Sequence, residues 1–216
     1  MKDRLTFYHP TEELLNVTSH GFGLLLSVAA LLALIYFSST RGTGWHIFSF
    51  TVFGVSLVIL YTASTLYHYV QEPALRYKLN VFDHAAIYIL IAGSYTPFTL
   101  HVLEGSLGLA LLGTVWTVAL VGITFKLFFT GRFNKASTVA YVLMGWLAVF
   151  AIEPFVRNFD PAGVVWVFVG GFAYTLGAVF YGLKMIRFNH AIFHVFVLTG
   201  SICHFVAVLF YLLPNH

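Results

Sequence analysis

The chain has 216 residues, of which 59% are hydrophobic and only 9% charged, with a formal net charge of +3 and a mean hydropathy of +0.87. A soluble domain carries about 25% charged residues, so this composition excludes an ordinary soluble fold and predicts an all-α integral membrane protein with little mass outside the bilayer. The 11 Lys and Arg form no basic stripe and no Gly-rich phosphate loop accompanies them, so no nucleic-acid partner is expected; the single Cys203 excludes a disulfide framework and a Cys-rich metal site.

Residues 1–16 are polar, include Glu12 and Glu13, and lack the pattern of a cleaved signal peptide. They read as a short cytoplasmic lead-in to one transmembrane domain over residues 17–213. Seven apolar stretches follow, at 17–38, 46–70, 81–100, 107–129, 138–152, 162–183 and 191–213, close to the ~17–25 residues that cross a bilayer. The fifth is short. Lys126, near the end of the fourth, is expected to snorkel to the interface, and Glu153 is assigned to the interface at the end of the fifth. Pro97 with Gly93 predicts a kink in the third helix. Gly145, Gly170, Gly171 and Gly177 suit close helix packing. The connections are brief, which makes consecutive helices antiparallel neighbours and the fold a seven-helix bundle.

Orientation follows from counting basic residues by side. Lys2, Arg4, Arg76, Lys78, Lys126, Arg132, Lys135, Lys184 and Arg187 fall on one side, and only Arg41 and Arg157 on the other. Nine against two predicts a cytoplasmic N-terminus and an external C-terminus.

Several polar residues interrupt the apolar pattern. Ser64 and His68 are four residues apart, as are His190 and His194, a spacing that places each pair on one helix face. Asp83 opens the third stretch. With the predicted topology, all five fall at the cytoplasmic ends of their helices, where His20 also opens the first, preceded by Asn16 and Glu13 at one-turn spacings. Intramembrane ionisable groups are expensive and point to function. Three neutral imidazoles bind Zn²⁺ and leave a fourth position for a water whose pKa the metal lowers toward about 7. Asp83 would take or orient that water's proton, and Ser64 would hydrogen-bond the water or a substrate oxyanion, which gives hydrolysis of an ester or amide. A site at headgroup depth favours a lipid substrate. Glu13, Asn16 and His20 are assigned to orienting the ligands.

Other histidines receive weaker readings. An isolated HxxxH pair also suits backbone or lipid hydrogen bonding, a lone intramembrane serine often bonds its own helix, and an aspartate at a helix start is favoured by the dipole. His84 points about 100° from Asp83 around the helix and is read as structural. His204, about 15 Å deeper than His194 by helical rise, is read as a packed, hydrogen-bonded residue. His9, His46, His101 and His216 are assigned no role.

The pattern Glu13-x-x-Asn16-x-x-x-His20-Gly21, Ser64-x-x-x-His68, Phe82-Asp83-His84, Gly93-Ser94-Tyr95-Thr96-Pro97-Phe98 and His190-x-x-x-His194 resembles the bacterial hemolysin III family across essentially the whole chain. That family is the prokaryotic branch of the progestin and adipoQ receptor family, within a superfamily of membrane hydrolases that includes the alkaline ceramidases. The resemblance implies seven transmembrane helices in a bacterial inner membrane and zinc held by His68, His190 and His194. It places Asp83 and Ser64 near the metal and implies a role in membrane-lipid homeostasis. His84 stands where the eukaryotic receptors carry an aromatic, and their long N-terminal region has no counterpart, so no protein hormone is expected as partner. The leading expectation is a zinc-dependent intramembrane hydrolase. Its alternatives are a non-enzymatic sensor with structural zinc and a pore-forming cytolysin.

Overall fold

A computed structural model describes residues 5–103 and 105–214, and every regular element among them is helical. Lys2 and Arg4, used in the charge count, lie outside the described residues, as does His216. The helices are α1 (Pro10–Arg41), α2 (Gly44–Tyr69), α3 (Pro73–His101), α4 (Gly105–Phe129), α5 (Asn134–Gly145), α6 (Ile152–Asn158), α7 (Pro161–Gly182) and α8 (Asn189–Tyr211), with a 3-10 turn at Leu147–Ala151 between α5 and α6. Taken with that turn, α5 and α6 form one broken segment, so seven segments make up the bundle. Six of them are long and apolar enough to cross a membrane. The exception is α3, which at 29 residues is long enough but carries Asn80, Asp83, His84, Ser94 and Thr96 along its length.

Local chemistry sets several helix starts. Glu72 precedes Pro73, and its carboxylate accepts from the backbone N–H of Ala74 and Leu75 at 2.9 and 2.6 Å. Asp160 precedes Pro161 and accepts from Ala162 and Gly163 in the same way. An acidic cap followed by proline satisfies the free N–H groups of the first turn with a residue already fixed in helical φ. The first helix begins at Pro10, capped by His9, and not near residue 17. Residues 10–16 of the expected lead-in thus form the first turns of the helix, with Glu12, Glu13 and Asn16 buried.

The break in the fifth segment has an identifiable support. The Tyr95 hydroxyl on α3 donates to the Gly145 carbonyl at 2.7 Å and accepts from the Ala148 N–H at 2.9 Å. Trp146 Nε1 donates to Thr175 Oγ1 on α7 at 3.0 Å. Tyr95 satisfies backbone groups that the interruption frees, which is the condition for irregular backbone at membrane depth, and the Trp146 side chain anchors the break to α7.

Helices α2 and α3 are the most enclosed, α2 packing on α1 and α3, and α7 on α8. The core includes Leu34, Phe50, Phe53, Leu57, Ala207 and Val208, all almost fully buried. In mid-bundle, Tyr61 donates to Ser201 Oγ at 2.9 Å while Tyr174 and Ser201 share a 3.0 Å hydrogen bond, joining α2, α7 and α8. His204 Nε2 donates to the Val167 carbonyl at 3.3 Å, the packed role expected of it. At the opposite end from the site residues, the His46 and His101 rings stack at 3.8 Å and His101 Nε2 is hydrogen-bonded to Ser49 Oγ at 2.9 Å. These two histidines, assigned no role from sequence, fasten α2 to α3. Glu153 is exposed and paired with Arg157 at 3.0 Å, in keeping with an interfacial position.

Glycines permit two close approaches. A Cβ on Gly170 would lie 2.4 Å from the His204 ring, and one on Gly93 would lie 2.4 Å from Ser56 Oγ and 2.6 Å from Ser56 Cβ. Gly93 therefore serves the α2–α3 contact, while α3 continues through Pro97 to His101. Gly145 has open space around it, so its place at the end of α5 owes nothing to packing. Gly93→Val is expected to destabilise the bundle by about 1–3 kcal/mol, the usual cost of overpacking, measured as a lower unfolding midpoint in detergent.

Candidate metal centre

The C-terminal end of α2 carries Ser64 and His68, the N-terminal half of α3 carries Asp83, and the first two turns of α8 carry His190 and His194. Antiparallel connection brings these ends to one end of the bundle, together with the start of α1. His68, His190 and His194 are all buried, and one ring nitrogen from each lies within 4.8 Å of the others. The closest pairs are His68 Nε2 to His190 Nε2 and His190 Nε2 to His194 Nε2, both 3.1 Å. Two imidazole nitrogens on a tetrahedral zinc, each at about 2.0–2.1 Å from the metal, stand roughly 3.3 Å apart.

The supporting residues set which nitrogens face inward. His68 Nδ1 donates to Glu13 Oε2 at 2.7 Å, which leaves the Nε2 lone pair directed at the other two histidines. Asn16 Nδ2 sits 3.3 Å from the same Nδ1. Ser19 Oγ lies 3.4 Å from His194 Nδ1. The Glu12 carboxylate accepts the backbone N–H of His190 at 3.2 Å, fixing the start of α8 against α1. Lone pairs of neutral imidazoles directed at a common point repel unless a cation lies between them, so this donor set fits a divalent metal of the zinc type.

His20 is placed differently from Glu13 and Asn16. Its ring stacks on His194 at 3.5 Å and 10°, and its Nδ1 is hydrogen-bonded to Ser64 Oγ at 2.7 Å. Ser64 is thus joined to the ligand set through His20 and is not merely bonded to its own helix. Asp83, Ser64, His20, His190 and His194 all line one cavity, whose walls are predominantly apolar. His84 also lines it, beside Asp83 at 3.7 Å, with its Nδ1 donating to the Asn80 carbonyl at 2.9 Å. That hydrogen bond agrees with a structural role, although the ring reaches the cavity wall.

Two contributors to the centre, Arg76 and Tyr8, escaped the sequence reading, and Lys126 is placed differently from expectation. Arg76, counted there as a loop charge, is fully buried. Its guanidinium pairs with Glu13 and donates to the carbonyls of Val70 and Thr6, each at 3.0 Å. Tyr8 stacks on His190 at 4.6 Å, and its backbone N–H donates to Glu13 at 3.2 Å. Lys126 does not snorkel: it is fully buried and its ammonium has no hydrogen-bond partner. Neither Arg76 nor Tyr8 belongs to a spaced motif, and a basic residue near a span end ordinarily signals topology. The only sequence hint was the nearness of Glu13 and Tyr8 to the apolar stretch. If the three histidines hold a divalent metal, Glu13→Gln is expected to weaken uptake of added Zn²⁺ by about 10–100-fold, the usual effect of losing such a carboxylate, as read by competition titration against a chelating dye.

Comparison with known proteins places this geometry. The model of the family described as "Haemolysin-III related" matches residues 8–205, a stretch that contains every residue of the centre. The chain is 49% identical over 200 residues to the Hemolysin-3 homolog of Bacillus subtilis (strain 168), covering 93% of this chain and 94% of the relative. It is 48% identical over 204 residues to Hemolysin-3 of Bacillus cereus, covering 94% and 93%. A more distant likeness, 29% over 214 residues, covers 95% of this chain and 87% of the Monocyte to macrophage differentiation factor of Homo sapiens. The resemblance read from the motifs agrees with these matches: the chain belongs to the haemolysin-III related family of multi-pass helical membrane proteins.

Proposed function

We propose that this protein is a zinc-dependent intramembrane hydrolase of lipid amide or ester bonds, lying in a bacterial cytoplasmic membrane with its N-terminus and metal centre toward the cytoplasm. The observation that carries this reading is the convergence of three imidazole Nε2 atoms at the edge of a largely apolar cavity that His190, His194, Asp83 and Ser64 line. Three histidine ligands are characteristic of catalytic zinc, which keeps an open position, whereas structural zinc is closed by four protein ligands. When bound, zinc supplies Lewis acidity that activates water and polarises a carbonyl.

The protein's own residues do the rest. Glu13 fixes the tautomer and orientation of His68, and the His20 ring fixes that of His194. Asp83 accepts a proton from the attacking water and returns it to the leaving amine or alcohol. Ser64, its hydroxyl directed by His20, donates toward the substrate oxygen on which charge develops. The apolar walls take the acyl chain and keep bulk water away, which strengthens each of these interactions. The lead-in from residue 5 to residue 9 places Tyr8 over His190 and closes the cavity near the metal on that side. Membrane-lipid homeostasis is the role this chemistry suits.

Two other readings remain separable. A sensor with structural zinc would bind the metal and turn over nothing. The printed name of the Bacillus cereus relative, Hemolysin-3, favours a membrane-permeabilising protein, which dye release from liposomes by the purified chain would reveal. Zinc content and lipid turnover should be measured together for wild type and two variants. His190→Ala is expected to lose the metal and all turnover. Asp83→Ala is expected to keep stoichiometric zinc and lose at least ~100-fold in rate, the usual contribution of a positioned acid–base. A wild type without zinc would overturn the metal reading. Stoichiometric zinc with no product from ceramides, acyl amides or phospholipids would favour the sensor.

A further inference from the structure

Gly170 and Gly171 are adjacent on α7 but meet different surroundings. A Cβ on Gly170 would press on the His204 ring, whereas one on Gly171 would meet only Trp146, at 3.9 Å, an ordinary van der Waals contact. Close helix packing therefore does not hold Gly171 to glycine. It lines the cavity that His190 and His194 reach, and it also lines a second cavity that runs toward the opposite end of the bundle. The two cavities share Ser94, Tyr95, Gly145, Trp146, Gly171 and His204, so they adjoin at the level of these residues.

The second cavity offers a ligand almost no hydrogen bonds. Ser94 and Thr99 donate to carbonyls of α3, and the Tyr95 hydroxyl is taken by the break after α5. Trp146 Nε1 is engaged by Thr175 and His204 Nε2 by the Val167 carbonyl. His204 Nδ1 has no partner, but it is buried within the wall. The rest of the wall is Gly, Ala, Val, Leu, Ile and Phe. A cavity of this kind stays dry and takes hydrocarbon. The polar groups stand at the histidine end of the first cavity, so the molecule that suits both is an amphiphile with its head at the histidines and its tail directed away from them. His204 lies about 15 Å along α8 from His194 by helical rise, and the approach of Gly170 to His204 puts Gly171 at that level. With carbon–carbon bonds of about 1.5 Å, an extended chain needs roughly twelve carbons to cover this distance.

We propose that Gly171 determines the length of acyl chain the protein accepts. Its missing side chain leaves the way open from the first cavity into the second, so chains longer than about twelve carbons are admitted. The inference rests on the reading of the first cavity as the place of a lipid's acyl chain. A large side chain at Gly171 would fill the junction and leave shorter chains undisturbed.

The test is binding of saturated fatty acids, from octanoic through dodecanoic and palmitic to stearic acid, in competition with a fluorescent fatty acid on the full chain in lipid nanodiscs. Comparing proteins at each chain length cancels partition of the probe into the bilayer. Gly171→Phe is expected to bind octanoic acid as wild type does and to lose about 5–150-fold for palmitic and stearic acids, the range of forcing a group into filled space. Gly171→Ala, whose methyl meets only Trp146, should keep the wild-type profile. An equal loss at every length in Gly171→Phe would overturn the proposal, as would unchanged binding of stearic acid. Should Gly171→Phe yield no folded protein, Gly171→Val is read in the same way. The readout needs neither zinc nor turnover. Absence of any lipid product would remove the hydrolase reading and leave this measurement standing, whereas a wild type that binds no fatty acid of any length would overturn the length selection and leave the metal reading intact.

Discussion

Glu13 carries a carboxylate into the bundle one turn after the start of α1, and the chain must neutralise that charge on both sides. One oxygen takes the Nδ1 proton of His68 and the other pairs with Arg76. The same guanidinium covers the last carbonyls of α2 and holds the segment before α1 through Thr6. A buried charge that lost one of these partners would be strongly destabilising, whereas the complete set is self-consistent. The start of α1, the end of α2 and the start of α3 are therefore fixed relative to one another by a single acidic side chain. The orientation of His68 Nε2 toward His190 depends on that fixation.

From this anchor the centre is built outward by short-range constraints. Glu12, adjacent to Glu13, takes the backbone N–H of His190 in the first turn of α8, so two consecutive acids on α1 position both helices that carry the three histidines. His20, two turns further along α1, stacks on His194 and bonds Ser64. One face of α1 thus touches each residue of the proposed ligand set or its supporter. Because α1 begins at Pro10, Glu12 and Glu13 already lie on that helical face.

The remainder of the bundle holds the cavity open. The fifth segment is broken at Gly145, and Tyr95 and Trp146 satisfy or anchor the interruption from α3 and α7. A continuous helix there would press a regular side-chain surface against α3. The break instead leaves Trp146 and Gly145 on the cavity wall. The histidine end of the cavity is therefore held by hydrogen bonds from α1, while the wall beyond it is irregular.

The sequence by itself determined the helical membrane class, the approximate helix segments and the three histidines that the fold brings together. Hydropathy and length report on the bilayer directly, and an i, i+4 histidine pair on a helix shares a face whatever surrounds it. The antiparallel order of short-looped helices brought Ser64, His68, Asp83, His190 and His194 to one end without knowledge of any contact. Only the tertiary structure decided where Arg76, Tyr8 and Lys126 lie. A basic residue at a span end looks the same in sequence whether it meets lipid headgroups or turns inward; the burial of Arg76 beside Glu13 and of Lys126 within the bundle is a property of neighbouring helices. His20 shows the same limit, since its spacing linked it to Asn16 and Glu13 along α1, while its partners Ser64 and His194 come from α2 and α8. Periodicity within one helix assigns a residue to a face, and packing between helices determines which residues that face meets.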